Sequence, residues 1–160
     1  MIDGFLVLAD SASTDKGSGK VHMLGAGWSL TGPKVPPSAV AGFLRIPWDE
    51  VGDQIKFRLR LLTRDREEVR VLDETGQNRA PQFEGILALQ QVQPADELSR
   101  QIPLNLSFAL SIPPLPLLAG RVYQWALDVG GIEVATVDFA VRPESLASDE
   151  SPDNEARAAE

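Results

Sequence analysis

Apolar and polar residues alternate one by one over long stretches of this chain. Ile55, Phe57, Leu59 and Leu61 interleave with Lys56, Arg58 and Arg60, which predicts a strand with one buried and one wet face. The same period of two runs through Leu104, Leu106, Phe108, Leu110 and Ile112, with Asn105, Ser107, Ala109 and Ser111 between them. Tyr123, Trp125, Leu127 and Val129 alternate with Gln124, Ala126 and Asp128, and Ala135, Val137, Phe139 and Val141 with Thr136, Asp138 and Ala140. Runs near 4–9, 20–24, 39–47, 68–72 and 83–90 bring the count to about nine strands.

Turn formers punctuate these runs. Asp15-Lys16-Gly17-Ser18-Gly19, Asp73 to Asn78, Gly130-Gly131 and prolines at 33, 36, 37, 81, 94, 103, 113, 114 and 116 supply positive φ or remove ladder donors. Val129-Gly130-Gly131-Ile132 predicts a two-residue hairpin between the last two strands. Only Pro94 to Arg100 reads as a helical turn. The expectation is an all-β chain: an antiparallel two-sheet sandwich of immunoglobulin-like, Greek-key type, with a closed barrel as the alternative.

Composition divides the chain into a β-sandwich domain at 1–142 and an acidic, disordered tail at 143–160. The whole chain carries −8, of which −5 falls after Arg142-Pro143, in a segment without aromatics and with Leu146 as its single leucine. Such a segment buries too little apolar surface to offset the entropy of ordering it. An acidic docking tail for a basic partner is the functional alternative. Cysteine is absent, which removes disulfides, thiolate metal sites and thiol nucleophiles and fits a reducing cytoplasm. The first ten residues lack a basic n-region, and no apolar run reaches membrane-spanning length. A cytoplasmic, non-membrane protein is expected.

Each candidate chemistry meets a plainer reading. Gly17-Ser18-Gly19-Lys20 resembles the end of a phosphate loop, but Thr14 and Val21 stand where the motif needs glycine and a hydroxyl, and a strand follows. His22 is the single histidine, so a hydrolase or metal-dependent enzyme would have to be centred on it with Asp10 or Asp15. Asp10, Asp15, Asp73 and Glu74 could meet around calcium if their loops converged. Trp28 and Trp48 could form a small-ligand or carbohydrate platform, against the ordinary use of such aromatics in a core rim. Pro113-Pro114-Leu115-Pro116 has polyproline spacing but lies between two strands, where a stiff connection accounts for it.

The most polarised stretch is Ile55 to Arg70. Lys56, Arg58, Arg60, Arg64, Arg66 and Arg70 face only Asp65, Glu67 and Glu68 there, a net of +3. This ribbon is the candidate surface for a partner or an anion. Phe57 is its single aromatic and lies on the apolar face, which argues against base stacking and so against nucleic acid. Cross-strand pairing with acids, or protection of a sheet edge, is the plain alternative.

Three segments carry a family resemblance. Leu8-Ala9-Asp10 with Gly19 to Trp28, Ile46-Pro47-Trp48, and Leu118 to Leu127 with Phe139 to Pro143 resemble, in this order, a bacterial family of short β-sandwich proteins known only as a domain of unknown function. The resemblance spans residues 4 to 143 and implies a β-sandwich without implying an activity. Its third segment is similar to the penultimate strand of many immunoglobulin-like sandwiches. The reading reached is a non-catalytic, cytoplasmic module that needs no cofactor and binds a protein partner or a second copy of itself.

Overall fold

The computed structural model describes residues 1–89, 94 and 96–145, and among them the regular structure is β, with no α-helix. The strands are β1 (Asp3–Ala9), β2 (Ser11–Thr14), β3 (Val21–Leu24), β4 (Leu30–Thr31), β5 (Ser38–Ile46), β6 (Gln54–Thr63), β7 (Val71–Leu72), β8 (Asn78–Arg79), β9 (Gln82–Ala88), β10 (Leu104–Ile112), β11 (Val122–Val129) and β12 (Ile132–Val141). Single 3-10 turns occupy Trp48–Glu50 and Ser99–Gln101, the latter overlapping the end of the Pro94 to Arg100 segment expected to be helical.

Two larger sheets share one core. The first has the order β1-β5-β10, the second β4-β12-β11-β6-β9, while β2-β3 and β7-β8 form separate two-stranded ribbons. All nine expected strands are present. The three additional ones, β2, β4 and β8, have only two to four residues, too few to show a period. The all-antiparallel expectation needs one correction: Leu30–Thr31 pairs in parallel with Ala140–Val141 at the sheet edge.

The core forms because the apolar sides of β6, β11 and β12 close on the inward sides of β1, β5 and β10. Leu8, Leu44, Ile46, Leu59, Leu61 and Leu127 are all but inaccessible to solvent, each worth about 1.5–3 kcal/mol relative to exposure. Tyr123 and Trp125 are buried beside Leu127, as the alternation predicts. The Gly130–Gly131 hairpin joins β11 to β12, and its two glycines have φ of 59° and 83°, the left-handed pair that suits the strand twist. Residues 146–160, most of the expected tail, lie outside the described residues, as does Gln90 at the end of the run near 83–90.

Candidate functional site

Strand β6 carries Lys56, Arg58 and Arg60 of the basic ribbon, with Arg64, Arg66 and Arg70 beyond its end, and it is an interior strand flanked by β11 and β9. Edge protection therefore does not account for its cations. Its inward side chains are fixed by the core, so Lys56, Arg58 and Arg60 must project from the outer face. There Arg58 stands opposite Asp128 of β11 and Glu84 of β9.

Asp128 is the one buried charged residue among those described. Its Oδ2 accepts from Arg60 Nε at 2.7 Å and from Arg58 Nη2 at 3.3 Å, and its Oδ1 accepts from Arg60 Nη2 at 3.1 Å. The fork of Arg60 meets the carboxylate with two parallel bonds, the geometry that gives an Arg–carboxylate pair its strength. Hydrogen bonding to Asp128 also raises the pKa of the Arg60 guanidinium above its ordinary value.

A β-bulge completes the cluster. The β11–β12 register shifts between Leu127 and Asp128, so that Leu127 faces Ala135 while Asp128 faces Glu133. Strict alternation would have set Val134 opposite Asp128 and turned Glu133 inward. The extra residue re-aims Glu133 to the outer face, where its carboxylate lies 3.5 Å from Arg60 Nη2 and pairs with Arg66. Arg66 reaches it from a turn in which it adopts a φ of 65°, and it also donates to Gln124. Gln124 in turn donates to Asp138 at 2.7 Å.

The six ribbon cations thus separate. Arg58, Arg60 and Arg66 are held in one network with Asp128 and Glu133, and Arg70 pairs with Glu68. Lys56 and Arg64 make no ion pair among the described residues. The +3 read along the ribbon is largely neutralised across strands by acids some seventy positions away.

The other candidates do not assemble. His22 is exposed on β3 opposite Ser13. Asp15 is engaged in its own turn, accepting from the Ser18 hydroxyl at 2.6 Å and from Gly17 and Ser18 N–H groups, and these bonds hold its carboxyl below the ordinary value of 3.8. Asp73 is used alike, by Thr75 and Gln77 in the β7–β8 turn. Among the described residues, no three His, Asp or Glu side chains are grouped so as to hold a metal ion. Gly19, with φ of 70°, closes the β2–β3 turn rather than opening a helix.

Trp28 and Trp48 are only partly accessible. Trp48 Nε1 donates to the Ser99 carbonyl at 3.1 Å and the Ile102 carbonyl at 2.8 Å, tying the turn after β5 to the turn before β10. Trp28 packs edge-on against Phe139, with centroids 5.8 Å apart. Its Nε1 is buried without a hydrogen-bond partner among the described residues.

A surface that the alternation did not reveal lies on the other large sheet. Phe5 and Phe43 are direct cross-strand partners on its outward side, stacked at 4.9 Å and 16°, and Phe5 is 53% exposed. Beside them Arg45 donates to both carboxylate oxygens of Asp3, at 2.9 and 3.1 Å. On the far side Val7 stands opposite Ala41. Outward positions of a solvated sheet are ordinarily polar, and a stacked pair of aromatics breaks that rule.

No helix among the described residues is long and apolar enough to cross a membrane. No curated protein and no solved structure matches the chain. A family model does match, over residues 4–142, nearly the span in which the three segments carry their resemblance. The chain belongs to that family, DUF6941, a family of unknown function.

Proposed function

We propose that this protein is a non-catalytic interaction module of the cytoplasm, built as an immunoglobulin-like β-sandwich, that binds a macromolecular partner through the outer face of β1, β5 and β10. Two features support the architecture. The orders β1-β5-β10 and β12-β11-β6-β9 match those of an A-B-E sheet facing a G-F-C-C′ sheet. Tyr123, near the start of the penultimate strand, takes a hydrogen bond at 3.0 Å from the Leu118 N–H five residues upstream, as the tyrosine of a tyrosine corner bonds to nearby backbone.

The stacked Phe5–Phe43 pair carries the functional reading. Exposed aromatics lose little conformational entropy on contact and dominate interface energetics. The charged network around Asp128 is satisfied within the chain, which favours the aromatic face over the basic ribbon as the contact surface.

Affinity capture with the full chain tests the reading, comparing wild type with the Phe5→Thr/Phe43→Thr double variant. Threonine preserves strand propensity at both positions. Loss of the captured partner in the variant is expected. Equal capture by a folded variant would overturn this face as the contact surface.

A further inference from the structure

We infer that the Phe5–Phe43 face binds a second copy of this chain as a weak two-fold dimer. The inference rests on the reading of that face as a contact surface and names its occupant.

The face is self-complementary. Asp3 and Arg45 are cross-strand partners on β1 and β5, with side chains 57% and 58% exposed, so one row presents both signs of charge side by side. The next row along the same outward side holds Phe5 and Phe43, and beyond it Ala41 is buried within the chain, which bounds the accessible patch. A two-fold axis running along the strands between β1 and β5, in the plane of contact, exchanges the two strands. It lays Asp3 of one copy over Arg45 of the other and Phe5 over Phe43. Both rows meet their complement: opposite charges, and aromatic on aromatic. Such an isologous contact uses one patch twice. A single-sign face would repel its own copy instead.

Size sets the strength. Seven residues of β1 at about 3.3 Å each, across the two exchanged strands about 4.8 Å apart, give a face of at most roughly 220 Å². That is under half of the roughly 800 Å² per partner of a standard stable interface. The dimer is therefore transient and concentration-dependent.

Sedimentation velocity over a concentration series tests it, with two charge-reversed variants. Asp3→Arg gives a copy with arginine at both positions and Arg45→Asp a copy with aspartate at both, so each repels itself across the axis. Both sites are exposed, so neither substitution disturbs the core. Wild type is expected to self-associate reversibly, and each variant alone to associate about tenfold more weakly or worse. An equimolar mixture should recover association, because both cross-axis contacts are then attractive. A wild type that stays monomeric to millimolar concentration, or a mixture no stronger than either variant alone, would overturn the inference. If wild type stays monomeric while Phe5→Thr/Phe43→Thr still loses a captured partner, the contact-surface reading stands and the second copy is eliminated.

Discussion

The rings of Phe57 and Phe108 stack across the two large sheets, centroids 4.9 Å apart and planes at 23°. Each lies over a glycine of a neighbouring strand, Phe108 over Gly42 of β5 and Phe57 over Gly85 of β9, so that a Cβ at either glycine would intrude on the ring. These glycines serve close packing, since neither has a positive φ. Gly42→Ala and Gly85→Ala should each destabilise the fold by about 1–3 kcal/mol through overpacking. A double-mutant cycle in urea checks this: Phe108→Leu should recover part of the cost of Gly42→Ala and none of that of Gly85→Ala.

Asp128 holds two arginines from a site that water hardly reaches. Removing a partner from a buried ion pair costs about 3–5 kcal/mol, but Arg60 and Arg58 are 25% and 46% exposed and stay partly hydrated. Asp128→Asn should therefore cost about 1–3 kcal/mol in urea unfolding. Lys56→Ala, on the same face without an ion pair among the described residues, should change stability by less than about 0.5 kcal/mol.

Strands were legible where one face is wet, as in β6, where Lys56, Arg58 and Arg60 mark the outside. They were legible without their faces in β1 and β5, whose runs are apolar on both sides, so that Phe5 and Phe43 are indistinguishable by pattern from Leu6 and Leu44. The outward direction of Arg58 and Arg60 was in the sequence, but their common acid was not, because Asp128 lies 70 and 68 positions away. The bulge was invisible for a related reason: alternation restarts at Ala135, and only the pairing with Asp128 shows that Glu133 has changed sides. The parallel β4–β12 contact rests on two residues and leaves no period to read.

Acid should weaken three turns in a predictable sense. The carboxyls of Asp15, Asp73 and Asp96 lie below their ordinary value of 3.8, chiefly through hydrogen bonds from the hydroxyls of Ser18, Thr75 and Ser99. A depressed folded-state pKa adds stability that is complete above the ordinary value and disappears as pH falls through the lower one. A Ser18→Ala/Thr75→Val/Ser99→Ala variant should be less stable than wild type near neutrality, and the two should converge as pH drops below 3.8. Carboxyl titration by NMR should show all three groups moving back up in the variant.

Trp48 and Trp28 should respond unequally to the same change. Trp48→Phe removes two hydrogen bonds and leaves the carbonyls of Ser99 and Ile102 to find other partners, at a cost of about 1–2 kcal/mol. Trp28→Phe removes an Nε1 that is buried with no partner among the described residues. Deleting an unpaired polar atom relieves desolvation and offsets part of the packing lost against Phe139. Thermal unfolding should rank Trp28→Phe as the milder substitution. Hydrogen exchange should speed up around residues 99–102 in Trp48→Phe alone, because only that indole joins the two turns. The opposite ranking would place the important tryptophan contact at Phe139 rather than in the clasp between β5 and β10.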